Sequence, residues 1–265
     1  MSDRKINAVV FDWAGTMIDH GCFGPVSAFQ QTFAQFDIET TIAECRGPMG
    51  LPKRDHIKTM LAYPNVASQI KQIYGRDFGE EDLNALYEYF LTINEDVVLN
   101  HIDLIDGVVE MVAWLRSKGI KVGSNSGYGR DLMKRVVPLA AIAGYSPDNL
   151  VCGDDLIEGR PGPLMMYQCF ADLGVYPPET VVKVDDTAPG IAEGVAAGTI
   201  TVGVTLTGSH VGLTAGQLAA LDIHKQNTLH EDAAKILKDA GANYVIRNVT
   251  ELPKLITEIK GLSKN

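Results

Sequence analysis

In Val9-Val10-Phe11-Asp12-Trp13-Ala14-Gly15-Thr16 a short apolar run meets an aspartate and, three residues on, a glycine. An apolar run closed by a carboxylate and then by glycine has the pattern of a buried parallel strand that leaves the sheet at Asp12. Open α/β sheets bind ligands beyond the carboxyl ends of their strands, which makes Asp12 a catalytic candidate.

Working outward, residues 22–100 contain no convincing strand, only helical patterns over 25–36, 52–62, 66–74 and 80–98. Strand and helix patterns then alternate. Helix is expected over 107–118, 129–143, 164–173 and 190–197, and strand over 121–124, 150–151, 181–185 and 199–204. Two further helices (215–221 and 230–240), an edge strand (243–246) and a last helix (249–260) complete the chain. Such alternation predicts an α/β, Rossmann-like parallel sheet with helices on both faces. The first strand must share a sheet with the later ones, so the helical segment is an insertion. The expected division is an α/β core from 1–20 and 100–265 and an inserted helical cap from 21–99, which leaves and re-enters the core beside Asp12.

The chain has 265 residues and a net charge of −10, and it has no basic run, which argues against nucleic acid or an anionic membrane as partner. No apolar span is long enough to cross a bilayer, and Met1-Ser2-Asp3-Arg4-Lys5 leads into a strand without a leader-like apolar region, so a cytoplasmic location is expected. Cys22, Cys45, Cys152 and Cys169 have neither zinc-site nor disulfide-framework spacing, and reduced thiols are expected.

Four motifs lie in order at strand ends. They are Asp12-Trp13-Ala14-Gly15-Thr16, Gly123-Ser124-Asn125-Ser126-Gly127, Gly159-Arg160-Pro161 and Val184-Asp185-Asp186-Thr187. Together they resemble the haloacid dehalogenase superfamily, whose first motif is Asp-x-Asp-Gly-Thr. The resemblance implies that Asp12 is a nucleophile, that Ser126 holds a phosphoryl oxygen with Asn125 and Gly127 helping, and that Arg160, opening a helix, holds another. The superfamily's second carboxylate, a general acid, is replaced by Ala14. Mg²⁺ takes oxygen ligands and keeps several waters, so Asp12, the Ala14 carbonyl and Asp186 would suffice for it. A further acidic residue common in relatives is here Gly190, which leaves the roles of Asp185 and Asp186 open.

Within 21–99, Pro52 suits a first helical position, and Lys53 and His56 then share one helix face. A solvated helix start would look the same. The alternative is an amine nucleophile beside a proton carrier, its pKa lowered by local positive charge. This segment, from Pro48 to His56, together with Gly21-Cys22-Phe23 and Gly127-Tyr128, resembles the phosphonatase family over the whole length. The resemblance implies a Schiff base at Lys53, proton transfer by His56, and Cys22, Met49 and Tyr128 lining the site. It also implies Mg²⁺ as cofactor, a homodimer joined through the caps, and hydrolysis of the carbon–phosphorus bond of phosphonoacetaldehyde. Two rivals are a phosphatase or phosphomutase acting on a sugar phosphate, which needs the acid that Ala14 cannot supply, and a non-catalytic phosphate sensor, which would not need Asp12 and Lys53.

Overall fold

The computed structural model describes residues 5–49 and 51–261. They fall into two compact units, one formed by 23–101 and the other by the residues on either side of it.

The larger unit begins with β1 (Ala8–Phe11), four residues with no exposed side chain. The unit of 23–101 is wholly helical, with α1 (Phe23–Ala34), α2 (Ile42–Arg46), α3 (Lys53–Leu61), α4 (Pro64–Tyr74) and α5 (Glu80–Leu99). Its core is formed by Val26, Phe29, Phe33, Ile57, Met60, Leu83, Leu86 and Phe90 and their neighbours, which bury the apolar stripes of α1, α3 and α5 against one another. Helix α2 has five residues, too short for a periodic stripe. Its start is written instead as a capping box: Glu44 N–H donates to Thr41 Oγ1, and the Glu44 carboxylate accepts from Thr41 N–H.

The larger unit continues with α6 (Val108–Ser117), β2 (Lys121–Ser126), α7 (Arg130–Ile142), β3 (Val151–Cys152), α8 (Leu164–Leu173), β4 (Val181–Asp185), α9 (Ala188–Ala196) and β5 (Ile200–Val204). It ends with α10 (Ala215–Ala219), α11 (Ile223–Asp239), β6 (Tyr244–Ile246) and α12 (Leu252–Gly261). Helix α11 starts seven residues before the expected 230, where Asp222 caps it by accepting from Lys225 N–H.

The six strands are parallel and lie in the order β3-β2-β1-β4-β5-β6. Strand order therefore reverses between β1 and β4, the point at which a doubly wound sheet opens a crevice beyond its carboxyl ends. Asp12 follows β1 and Asp185 closes β4, so the topology alone brings the first and fourth motifs together.

Candidate active site

The Asp12 N–H donates to Val184 O at 3.0 Å, tying the end of β1 to the strand that carries the acidic pair. The chain then turns sharply, with Met17 and Ile18 N–H both donating to Trp13 O and Gly15 N–H donating to Ile18 O. Gly15 has φ of +77°, and a Cβ there would collide with Cys22 Sγ and the Asp186 carboxylate. Only glycine meets both demands. Asp19 and Cys22 also lie in the left-handed region, at φ of 54° and 55°, a strain of roughly 1 kcal/mol or more each at the end of the same loop.

Arg160 is buried, and its Nη2 donates to Asp12 Oδ1 at 2.7 Å and to Asn125 Oδ1 at 2.9 Å. Its Nε donates to Glu193 Oε2 at 3.2 Å. Arg160 does not open a helix as expected: it stands in a turn four residues before α8, and its direction comes from its partners. Behind it, Lys183 lies in the middle of β4 with no exposure and reaches Asp185 Oδ2 at 3.0 Å, Glu193 Oε2 at 3.3 Å and Asn125 Oδ1 at 2.5 Å. Asn125 Nδ2 in turn donates to Glu193 Oε1 at 3.0 Å. Asn125 thus acts through its side chain, as a junction between Arg160, Lys183 and Glu193.

This arrangement separates Asp185 from Asp186. Asp185 Oδ1 accepts from Thr187 N–H and Oγ1, while Oδ2 faces Lys183 and Arg160. Burial opposes its charge, but Arg160, Lys183 and Thr187 hold its carboxyl below the usual range. Asp186 accepts from the Ser209 N–H at 2.8 Å, the Cys22 thiol at 3.5 Å and the Thr16 hydroxyl at 3.4 Å, with no cation paired to it among the described residues. Burial and then the neighbouring Asp12 and Asp185 push it up to about 8. Asp12 is pushed up to about 6 by burial and then Asp185, with Arg160 pulling the other way.

When ionised, the carboxylates Asp12, Asp185, Asp186 and Glu193 exceed the two buried cations Arg160 and Lys183 by two charges, and Asp19 is a further buried carboxylate at the end of the same loop. Ligand oxygens of Asp12, Asp185 and Asp186 all lie within 4.8 Å of one another. A divalent, oxygen-seeking cation fits this deficit, and the two under-compensated carboxylates, Asp12 and Asp186, are the residues that would hold it.

Around this centre, Ser126 closes β2 and accepts from Tyr128 N–H at 3.1 Å. A Cβ built at Gly127 would meet open space. Tyr128 is buried, and burial followed by Asp19 and Cys22 drives its phenol well above the ordinary range. The Cys22 thiol is likewise pushed up by burial and then by Asp186, so it is a neutral donor here. Ala14 bridges to Ile18 within the turn and places no carboxyl there.

The segment after β5 also reaches the centre. Thr207 Oγ1 donates to Gly15 O at 2.7 Å, Thr207 O accepts from Gly21 N–H at 2.8 Å, and Ser209 N–H holds Asp186. Four residues that build the site, Lys183, Glu193, Thr207 and Ser209, go unnoticed when the sequence is read for strand-end motifs. Lys183 had a visible signal, a cation between Val182 and Val184 in a strand otherwise fit for complete burial. Glu193 had none.

In the unit of 23–101, Pro52 is the N-cap and α3 begins at Lys53, one residue later than Pro52 at the first helical position would give. The i, i+3 relation of Lys53 and His56 is unchanged. His56 is buried, and its Nε2 lies 2.9 Å from Cys45 O, so the ring donates there and leaves the Nδ1 lone pair without a hydrogen bond. Phe29 stacks on the His56 ring at 3.7 Å, and the Lys53 ammonium stands 5.6 Å from the Phe29 centroid. Burial and then Lys53 push His56 well below its ordinary pKa, so it is a neutral base. Arg54 is paired with Glu80 and Asn84. The expected local positive charge on Lys53 therefore does not come from His56. Met49 packs in the unit's core, and Gly50 lies outside the described residues.

Residues 6–198 match the family model for haloacid dehalogenase-like hydrolases. The chain is 42% identical over 97% of its length and 96% of the relative's to the phosphonoacetaldehyde hydrolase of Paraburkholderia phytofirmans. It is 42% identical over 98% of its length and 97% of the relative's to that of Vibrio campbellii. A phosphonoacetaldehyde hydrolase-like protein from Oleispira antarctica has a crystal structure that superposes with a TM-score of 0.94 at 40% identity, covering 97% of this chain and 93% of that one. With the four motifs gathered at the switch point and relatives this similar along their whole length, the chain belongs to the phosphonoacetaldehyde hydrolase family of the haloacid dehalogenase-like hydrolases.

Proposed function

We propose that the protein hydrolyses the carbon–phosphorus bond of phosphonoacetaldehyde to acetaldehyde and phosphate, through an imine at Lys53 and a phosphoryl group carried on Asp12. The observation that carries this reading is Ala14: the phosphoryl cradle of Asp12, Ser126 and Arg160 is kept, while the residue that would protonate a bridging oxygen is missing. Such an oxygen does not exist in a phosphonate. What C–P cleavage needs is a sink for the electron pair left on carbon.

Lys53 supplies it. Its amine adds to the aldehyde, and loss of water gives a protonated imine, with the neutral His56 taking up and returning protons at Nδ1. Asp12 then attacks phosphorus in line. The C–P electron pair moves into the imine, giving an enamine on Lys53 and an acyl phosphate on Asp12. Protonation of the enamine carbon and hydrolysis of the imine release acetaldehyde, and water cleaves the acyl phosphate. Arg160 and Ser126 hold the phosphoryl oxygens through both displacements. Mg²⁺, held by Asp12, Asp186 and the Ala14 carbonyl, would neutralise phosphoryl charge.

We further propose a homodimer joined through the 23–101 unit, supported by the exposed apolar side chains Ile42, Ile73, Tyr74 and Leu91 there. Sedimentation of the intact protein tests this. No helix among the described residues is long and apolar enough to cross a membrane.

The deciding experiment measures acetaldehyde and phosphate released from phosphonoacetaldehyde with Mg²⁺, by the parent and by Lys53→Arg. Equimolar products from the parent and none from the variant are expected. Borohydride should trap the imine on Lys53 of the parent. Turnover by a folded Lys53→Arg protein would sink the imine step, and turnover of an aryl phosphate in place of the phosphonate would identify a phosphatase.

A further inference from the structure

Ser209, in the segment that follows β5, is 2% exposed, and its N–H donates to Asp186 Oδ2 at 2.8 Å. Its hydroxyl stands beside the same carboxylate: burial, Asp12 and Asp185 raise the Asp186 carboxyl, and the Ser209 N–H and hydroxyl are the groups that pull against them. The hydroxyl nevertheless completes no hydrogen bond to any described residue. The two hydroxyls before it on alternate residues are both spent on the protein. Thr205 Oγ1 donates to Ile246 O at 3.2 Å and lies 2.8 Å from His230 Nδ1, and Thr207 Oγ1 donates to Gly15 O at 2.7 Å. An unpartnered buried hydroxyl costs about 1–3 kcal/mol, and alanine at 209 would keep the N–H contact without that cost. A Cβ at Gly208 would come within 2.6 Å of Asp186 Cβ, so the backbone runs directly against Asp186 and carries the Ser209 hydroxyl in with it.

The surroundings of this hydroxyl name its partner. Asp186 is one of three carboxylates whose oxygens lie close enough to share a cation. Mg²⁺ keeps several of its waters, and a water whose lone pair is on the cation can only donate. A serine hydroxyl can accept one hydrogen bond and give its own proton to a second group. We propose that Ser209 is a positioning residue for the cation, its hydroxyl accepting from a water in the cation's shell and turning its own proton to the Asp186 carboxylate. Ser209 then has two separable roles: the backbone N–H orients Asp186, and the side chain orients a water beside it without adding charge to the site. The inference rests on the cation described under Proposed function and not on the carbon–phosphorus cleavage proposed there.

The test uses the whole chain and reads stability and metal binding separately. With EDTA present, Ser209→Ala should leave Tm unchanged or raise it by about 2 °C, because it removes an unpartnered hydroxyl. Mn²⁺ binding followed by paramagnetic resonance should weaken by about tenfold or more in the same variant, the size usual for a group that orients a metal's surroundings. Thr205→Val is the contrast, since that hydroxyl is spent on the protein: it should lower Tm by about 5 °C and leave Mn²⁺ affinity within about threefold of the parent. The proton hyperfine couplings of the waters on Mn²⁺ should change in Ser209→Ala and not in Thr205→Val. An affinity of Ser209→Ala within about twofold of the parent would overturn the assignment. So would a fall in its metal-free Tm matching that of Thr205→Val, which would make the hydroxyl structural. A parent that binds no Mn²⁺ would overturn it together with the proposed cation. If the parent binds Mn²⁺ and Ser209→Ala binds it poorly, the assignment stands even where phosphonoacetaldehyde is not turned over, a result that rejects only the proposed reaction.

Discussion

Arg160 Nη2 donates to Asp12 Oδ1 at 2.7 Å, so the cation proposed to hold a phosphoryl oxygen is itself held on the proposed nucleophile. Exchange between the two is possible because Nε stays anchored on Glu193 while Nη2 changes partner. A lysine at 160 offers one nitrogen and cannot do both. Arg160→Lys should therefore remain folded and lose about 10²-fold or more in kcat/KM, read in a steady-state assay of phosphate release. A loss below threefold would mean that the fork geometry is irrelevant.

Ala14→Asp restores an acid to the first loop. If the electrons leaving carbon are drawn into an imine, this acid has no oxygen to protonate, and phosphonate turnover should not rise. A severalfold gain in kcat would show that proton donation at this position limits the parent.

Asp12 at about 6 and Asp186 at about 8 are both raised, so in the metal-free protein their contribution to stability is fully present below the unfolded value of about 4 and is lost as pH rises through those values. Binding of the proposed Mg²⁺ by these two carboxylates would need both ionised and would release their protons. The Tm of the EDTA-treated protein should thus fall between about pH 5 and 8, while the rise produced by saturating Mg²⁺ should grow over the same window. A Mg²⁺ effect independent of pH would argue that the cation binds elsewhere.

Glu193 is the carboxylate shared by Arg160, Lys183 and Asn125 inside the core. Removing one member of a buried charge network costs about 3–5 kcal/mol because its partners stay buried and uncompensated. Glu193→Gln keeps the Asn125 contact and should still lower stability by about that amount, measured by urea unfolding. It should also raise KM for the phosphonate, since Arg160 loses its anchor. Unchanged stability would mean that the cluster adjusts around the loss.

The succession of strands along the chain and the position of Asp12 beyond the first were legible, because an apolar run ending in a carboxylate marks a buried strand and its end, whereas the order of the strands in the sheet, which sets β1 beside β4, is written in no local pattern. Arg160 could be identified but not placed: a Gly-Arg-Pro triplet looks like a helix entry, and only the tertiary partners Glu193 and Asn125 show that it is held in a turn. Lys183 and Glu193 illustrate the deeper limit. A lysine among three valines and a glutamate on a helix have ordinary surface readings, and their burial follows from meeting each other across the β4–α9 packing, which no local pattern records. The capping box at Thr41 was in plain view, but it opens a helix too short for an apolar stripe, and the Asp222 cap opens α11, whose helical pattern was read only from residue 230.

Ser209 N–H holds Asp186, and Thr207 clasps the loop that follows Asp12, although the family match ends at residue 198. This fixes an order of events during biosynthesis. Asp12 is among the first residues made, but Asp186 does not gain its Ser209 contact until the segment after β5 has left the ribosome, with most of the chain already outside. A nascent chain arrested before Thr207 carries all four motifs but lacks the contacts that Thr207 and Ser209 make to the Asp12 loop and to Asp186. Premature termination there would yield a protein recognisable by sequence in which Asp186 lacks its Ser209 partner.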